Sequence, residues 1–516
     1  MEREKISTFA AKFKKAFSEG VLNELGKATR YCHRVRQLTP YRMVMTLMAL
    51  FAGTRVESLA DLQRGFNALF GYAMDYKPFY DQLAKREFAV FMRETARGLL
   101  ETLVIRVLGV ASGGAFSEFR RIVIQDGSSF AIKDALKEVF PGRFKKVKPA
   151  AVELHTTLDL LDESLSKVTL TADTASERAA LPNASSLGGC LLMADRGYFD
   201  RDYLLELTEA GASFVIRAPK GLNPKVLEAF DAQGRRIPKF VGKPLKTLRI
   251  AKRGAVDLRV RWKVQGQFLE CRLIVTWYAS TREFQYLATN LPPERYSVYA
   301  VAKAYHLRWQ VELLFKEWKS YANLHAFDTQ NPAIVEGLIW AAISAAALKR
   351  FLAHTAQVVA GVETSTRKVA MCAVHFLDDI LRALISEIEN RFLDTFARAI
   401  DYLAGNARRA HPKRDRQRGR LQFGLEPDVS PWIMHDYQRV NDIYRVTEPF
   451  RCSAISRRGT NQRRSHHAGR TGIGQAAPED LSGHAQAAAH RAVRERDGGA
   501  AWGSAHGHAS GARHQQ

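Results

Sequence analysis

The stretch YHLRWQVELLFKEWK, residues 305–319, decides how this chain is read. Helical spacing, at about 100° per residue, places Tyr305, Arg308, Glu312 and Lys319 in one narrow stripe, with Lys316 beside them. Leu307, Val311, Leu314 and Trp318 fall on another side, as a buried face requires. One carboxylate therefore stands among cations and a phenol. Taken alone, the stripe is a solvated charged face with Arg308–Glu312 and Glu312–Lys316 pairs four residues apart. The rest of the chain decides between that reading and a site.

Two acids upstream bear on the choice. RIVIQDGSSFAI, from Arg121, is an apolar strand that ends at Asp126, and CLLMADRGYF, from Cys190, is a short buried strand that ends at Asp195. Their near-continuous apolar character suits the buried centre of a mixed sheet. VELHTTLDLL and SLSKVTLTA alternate as half-exposed strands; YLLELTEAG is a helix stopping at Gly211, and ASFVIRAPKG a further strand. If the first two strands are parallel neighbours, both Asp residues emerge at one sheet edge, and a helix alongside can bring in Glu312. Three carboxylates so placed repel one another unless protonated or bridged by cations. Hard oxygen donors suit Mg²⁺. Two such ions, roughly 3.5–4 Å apart, clamp the attacking and leaving oxygens of a phosphoryl transfer. Asp126 is then the bridging ligand, and Asp195 and Glu312 each complete one metal's shell. Singly, an Asp at a strand end is a turn former or cap, and Glu312 is half of a surface pair. Their conjunction carries the reading.

Composition agrees. The chain has 516 residues, too many for one ordinary domain, with 46% hydrophobic and 25% charged residues and a formal net charge of +24. That charge implies a polyanionic partner, nucleic acid or an anionic membrane surface. The apolar runs Met43–Ala52 and Leu338–Leu348 reach only half of the roughly 20 residues of a spanning helix, so no membrane span is expected. MEREKISTFAAKFKKAF has no apolar signal core, which favours a cytoplasmic protein. Cys32, Cys190, Cys271, Cys372 and Cys452 are scattered without CxxC spacing, suggesting neither zinc nor a disulfide framework.

Tyr305-x2-Arg308-x3-Glu312-x6-Lys319, with QDGSS at 125–129 and ADRGY at 194–198, resembles the Tyr-Arg-Glu-Lys signature and the two acidic motifs of bacterial insertion-sequence DDE transposases, specifically the insertion sequence four family. The resemblance spans roughly residues 30–445. It implies an α/β fold: a ribonuclease H-like catalytic core with an inserted antiparallel β subdomain, flanked by helical N- and C-terminal domains. It implies Mg²⁺-dependent cleavage of double-stranded DNA at transposon inverted-repeat ends, then attack of the 3′ hydroxyls on target DNA by a homodimer associated with the nucleoid. On that resemblance Asp126, Asp195 and Glu312 are the catalytic, metal-binding triad, and Tyr305, Arg308 and Lys319 hold DNA-end phosphates. A planar Arg fork, a Lys point charge and a neutral phenol donor suit that task. Trp309 is a candidate for stacking on a displaced base, Arg217 for a phosphate contact, and Gly197 and Tyr198 for shaping the loop after Asp195. Two other readings are a decayed end-binding protein without catalysis and a ribonuclease H-like nuclease without strand transfer.

The expected division runs as follows. Residues 1–112 are a helical DNA-binding domain, in which Thr39-Pro40 starts one helix, Ser58 with Asp61 caps LADLQRGFNALF, and the pair reads as a helix-turn-helix or a plain bundle. Residues 113–220 are the first part of the core and 221–290 the β insertion. In the latter AVDLRVRWKV puts Val256, Leu258, Val260, Trp262 and Val264 inward, and Asp257, Arg259, Arg261 and Lys263 on a basic outer face. Residues 291–360 complete the core with the Glu helix, 361–448 form a helical, dimerising unit, and 449–516 a disordered tail. From residue 451 there are ten Arg, no Lys and seven His, with few large aliphatic residues. Such a segment cannot bury enough surface to fold; it is a nucleic-acid-binding tail or out-of-frame translation. Before it Lys and Arg still outnumber Asp and Glu by 67 to 49. Truncation near residue 450 should therefore leave cooperative melting intact, as a thermal scan of the shortened chain would show; a broadened transition would make the tail structural.

Overall fold

Strands apolar on both faces need cover on both sides of their sheet. A computed structural model supplies that cover. It describes residues 2–410 except 35, 54–55, 104–115, 163, 253, 279–281 and 322–326; the side chains of 2, 52, 53, 303, 309, 310, 313 and 321 also lie outside the description. The 449–516 segment lies outside the described residues, as does the part of the C-terminal unit beyond 410.

Nine strands form one sheet: β1 (Ile122–Ala131), β2 (Ala151–Asp159), β3 (Leu165–Ala172), β4 (Leu191–Ala194), β5 (Ser213–Ala218), β6 (Lys225–Asp231), β7 (Ala255–Val264), β8 (Gln267–Tyr278) and β9 (Glu283–Thr289). Their order is β3-β2-β1-β4-β5-β9-β8-β7-β6. β1, β4 and β5 are parallel neighbours, and every other pairing is antiparallel. The chain is thus mixed α/β around a large mixed sheet. The expected β insertion is built of antiparallel strands, but they do not stand apart: β9 pairs with β5, so β6–β9 prolong the central sheet. In β7 the expected inward residues are buried. Asp257 keeps to the outer face with Arg259 but is buried there, because Arg272 on β8 takes its carboxylate at 2.5 Å. β2 departs from the half-exposed pattern in being buried throughout.

One sheet face, with Ile124, Leu154, Met193 and Val215, shares a core with helices α1 (Glu2–Ala16), α2 (Glu19–Ala28), α3 (Pro40–Gly53), α4 (Leu59–Phe70), α5 (Tyr76–Leu83), α6 (Arg86–Thr102), α8 (Val298–His306), α9 (Trp309–Tyr321), α10 (Pro332–Ala360), α11 (Thr366–Ala373), α12 (Leu377–Ile385) and α13 (Glu389–Asn406). The other face, with Val123, Leu192, Phe214 and Leu258, is covered by α7 (Arg201–Glu209) and by short turns. The expected caps are present. The Thr39 hydroxyl accepts from Arg42 N at 3.1 Å, and Ser58 with Asp61 closes a capping box.

α10 is the hub. Asn331 caps it, Pro332 occupies its first turn, and Gly361 ends it in a left-handed conformation at φ 64°. By length and composition this 29-residue helix is apolar enough to cross a membrane, which differs from the expectation drawn from the shorter run. Its apolar surface is already covered, however: 83% of its most apolar window is buried, against α3, α6, α11 and α13. Helices that precede the sheet and helices that follow it in the chain therefore share one core. At Gly337 a Cβ would come within 2.2 Å of the Phe88 ring on α6. Gly337→Ala should accordingly cost about 1–3 kcal/mol in urea unfolding through overpacking, although Ala is the better helix former by about 1 kcal/mol. A neutral or stabilising result would show that α6 and α10 are not so closely packed.

Candidate active site

The β1–β4 register pairs Gln125 with Ala194. Asp126 and Asp195 follow directly after this pair, Asp126 within β1 and Asp195 just past β4, so their carboxylates leave the sheet side by side. Asp195 follows β4 as expected. Asp126 does not end its strand, because β2 pairs antiparallel with β1 from Val123 through Ala131 and carries it on past the acid. Nor is 305–319 one helix. α8 stops at His306 and α9 begins at Trp309, with Arg308 in the turn between them, where Leu307 N bonds Ala304 O and Arg308 N bonds Tyr305 O. The buried residues Leu307, Val311, Leu314 and Trp318 lie where the pattern put them.

The turn aims its polar residues at the strand ends. Tyr305 donates its hydroxyl to Asp195 Oδ1 at 3.1 Å. Arg308 spans two acids, donating through Nη1 to Asp126 Oδ2 and through Nη2 to Glu312 Oε1, the latter at 2.5 Å, and it lies over the Tyr305 ring. Arg217, on β5, is 3.6 Å from Asp195 Oδ1. Lys319 donates to Ser128 Oγ at 2.7 Å and to Ser129 O at 2.6 Å, just beyond Asp126 on β1. Lys316 points to solvent. The stacking role expected of Trp309 falls on a side chain outside the described residues.

Burial sets the electrostatics. It pushes the Asp126 carboxyl up to about 7, with Arg308 and the Gly127 N–H opposing, and Asp195 and Glu312 adding to the rise. Burial acts on Asp195 in the same sense, but Arg308, the Arg196 N–H, Arg217 and Tyr305 together hold it below its ordinary value. Burial also lowers the proton affinity of Arg308, but Tyr305 and the three acids more than reverse this, so the guanidinium stays charged.

A second polar network lies behind Asp126, and sequence reading missed it. Glu153, His155 and Thr157 alternate along β2 and read as a solvated face; they are buried. Arg143 donates to Glu153, and its Nη1 lies 2.9 Å from Glu177 Oε1. His155 Nδ1 lies 2.8 Å from the Tyr198 hydroxyl and its Nε2 lies 3.0 Å from Thr171 Oγ1. The network closes over Gly127, where a Cβ would sit 2.7 Å from Glu153 Oε1 and 2.9 Å from the Tyr198 hydroxyl. Gly197 is confined in the same way, by Glu177. The signal available was the pairing of an acid and a His two apart in a strand with a Gly directly across.

The donor chemistry suits a divalent metal. Asp126, Asp195 and Glu312 offer hard oxygens, and Asp126 is a buried carboxylate whose charge Arg308 does not fully offset. Among the described residues, no three acids stand close enough to share an ion in the arrangement seen, in which the Arg308 guanidinium lies between Asp126 and Glu312.

The pH response of the metal-free protein follows from these groups. Burial raises the Glu153 carboxyl to about 7, against Arg143, while it lowers His155 to about 4, with Arg143 and Lys167 in the same sense. Asp126 and Glu153 are each raised on folding, so the stability they contribute is full below the unfolded carboxyl value and is lost as pH rises through about 7. His155 is lowered, so its contribution is full above the unfolded imidazole value and is lost as pH falls towards about 4. Two groups oppose one. Melting in EDTA should occur at a higher temperature at about pH 5 than at about pH 8, and Asp126→Asn should flatten the difference by about 1.4 kcal/mol per pH unit. A melting temperature that climbs with pH across that window would mean neither carboxyl is raised.

Comparison with known proteins accords with this geometry. Residues 117–348 match the family described as transposase DDE domain. The transposase for insertion sequence element IS1151 of Clostridium perfringens is 20% identical over 352 residues, covering 61% of this chain and 74% of that relative. The transposase for IS231E of Bacillus thuringiensis subsp. finitimus is 20% identical over 363 residues, covering 63% and 75%. The cryo-EM structure of a piggyBac transposase synaptic complex with hairpin DNA aligns over 75% of this chain and 84% of that one, with a TM-score of 0.40 and 11% identity. The DDE transposase family implies dependence on a divalent metal. With a segment similar to the transposase DDE domain and with insertion-sequence transposases among its relatives, the chain is an enzyme of DNA transposition, one that cleaves DNA and transfers its strands.

Proposed function

We propose that Asp126, Asp195 and Glu312 are the catalytic carboxylates of a ribonuclease H-like core of the Tyr-Arg-Glu-Lys subgroup, and that they hold two Mg²⁺ ions. The observation that carries the reading is the adjacency of Asp126 and Asp195 on parallel strands, with Arg308 tying Asp126 to Glu312 and Tyr305 bonded to Asp195. The order β3-β2-β1-β4-β5, with β1, β4 and β5 parallel, supports the ribonuclease H-like assignment. When bound, divalent metal supplies the charge that activates water and stabilises the phosphodiester oxygens in displacement.

The chain's own residues do the rest. Asp126, the most buried of the three, presents a carboxylate that burial keeps poorly solvated and therefore receptive to a cation. Tyr305 and Arg217 fix the Asp195 carboxylate from two sides. With Asp126 and Glu312 as the residues that would hold the metal, Arg308 would offer its planar fork to a DNA phosphate. Lys319 adds a point charge beside Ser128. The substrate is double-stranded DNA at transposon inverted-repeat ends, and the product 3′ hydroxyl attacks target DNA in a cut-and-paste reaction run by a homodimer. The helical segment 1–112 is the first contact with the ends, and 361–448 the dimerising segment.

The test is cleavage of labelled repeat-end DNA in Mg²⁺. Asp126→Asn, Asp195→Asn and Glu312→Gln should each lose cleavage by on the order of a thousand-fold, the several kcal/mol of charge stabilisation that the metals provide, while still binding the ends. A variant that cleaves at the parent rate removes its residue from the triad. Arg308→Ala should weaken binding and reduce the slope of log affinity against log salt by about 1; an unaltered slope would refute its phosphate contact.

A further inference from the structure

The chain between β1 and β2 holds a feature that neither the core nor the carboxylate site uses. Pro141 and Ala150 form an isolated bridge, Gly142 N donates to Pro149 O at 2.9 Å, and Lys148 N donates to Phe144 O at 2.7 Å. These bonds close a loop whose neck admits only glycine, for a Cβ on Gly142 would lie 2.0 Å from Lys148 O. The first residue of the loop, Arg143, reaches inward. Its Nε bonds Asp173 O at 2.5 Å, and its remaining nitrogens meet Glu153 and Glu177. The base of the loop is therefore fixed by charge-assisted bonds, which hold more firmly than neutral ones.

The tip is the reverse. Phe144 is 68% and Val147 79% exposed. Lys145, Lys146 and Lys148 are exposed beside them, and among the described residues none of the three pairs with an acid. An aromatic ring set in water among unpaired lysines on a fixed loop is a contact surface awaiting a partner. Its place narrows that partner. Arg143 at the base of the loop holds Glu153, which lies across from Ser129 in the β1–β2 register, and Lys319 grips Ser128 and Ser129 next to Asp126. The loop thus borders the carboxylates on the β2 side, opposite Arg217 on β5.

We propose that residues 143–148 form a DNA-holding loop that seats the duplex beside the point of cleavage, with Lys145, Lys146 and Lys148 on backbone phosphates and Phe144 against sugar and base. The inference rests on the reading of the carboxylate site as a DNA-cleaving one. A polyanion fits better than a second copy or a membrane surface, because the lysines continue the cationic line of Lys319 while the apolar part is a single ring and one Val, too little to bury in a stable protein interface. Phosphates on the lysines supply affinity without sequence preference. A ring against a base adds sequence-tolerant contact.

Fluorescence anisotropy with a labelled duplex of arbitrary sequence, read across a salt series with the full chain, tests this. The variant Lys145→Gln/Lys146→Gln/Lys148→Gln should lower the slope of log affinity against log salt by about 2–3, near 0.9 per phosphate released. Phe144→Ala should weaken binding roughly tenfold while keeping the slope, within the range for a stacked aromatic. Both changes are at exposed tips, so parental melting is expected and is checked alongside. Two variants with parental affinity and slope would overturn the loop's role. So would a change in oligomer size by light scattering, or a loss of binding to phosphatidylserine vesicles, with duplex affinity untouched. A parent chain that bound no duplex at any salt would remove the DNA-cleaving reading itself, which is a different result from a parent that binds and variants that match it.

Discussion

A single guanidinium allows three acids to gather at one edge of this sheet. Arg308 bonds both Asp126 and Glu312 and lowers the pKa of Asp195, so the carboxylates meet around a cation rather than against one another. The arrangement carries a cost. Breaking a buried pair by removing one partner leaves an uncompensated charge and typically loses about 3–5 kcal/mol. Arg308 therefore stabilises the closed site as well as serving it, and its buried Nε–H, without a partner among the described residues, leaves it a donor to spare.

That cation reaches the acids because the turn between α8 and α9 breaks what the sequence presents as one continuous stripe. In an unbroken helix Tyr305 and Arg308 would point along the same line. With α8 ending at His306, the phenol turns to Asp195 and the guanidinium to Asp126 and Glu312. No Gly or Pro marks the break. It is a tertiary effect, imposed by burying Leu307 and Val311 on the sheet side while the polar residues are drawn to the strand ends.

What was legible in the sequence was local: two apolar runs each followed by Asp, the core face of the Glu helix, the caps at Thr39 and Ser58, and the inward alternation of β7. What was not legible was the choice of partner. Asp126 lies inside a strand because β2, arriving some way along the chain, pairs beyond it. The strands from 225 to 289 join the central sheet through a single β5–β9 edge, and an edge pairing leaves no mark on periodicity. Asp257 is buried because Arg272 on a neighbouring strand answers it. Glu153 and His155 looked solvated because a buried polar network has the same alternation as a wet strand face, and the Arg143 that makes the burial tolerable sits in a loop of ordinary basic composition.

That network explains the glycine of QDGSS more directly than turn chemistry does. Gly127 is part of β1 and needs no unusual backbone angle; what forbids a side chain there is the approach of Glu153, His155 and Tyr198 from across the sheet. Tyr198 belongs to the turn that follows Asp195, and His155 to the strand opposite Gly127. The contact between them ties the turn after Asp195 to β2, the strand paired with the one that carries Asp126. The acids are consequently held from both directions, by a cation in front and by hydrogen-bonded side chains behind. Because burial keeps His155 neutral at ordinary pH, its contact with Tyr198 adds no charge of its own to compete with Arg308. Were metal ions to take the place of the guanidinium in front, this contact would still support Asp126 against Asp195.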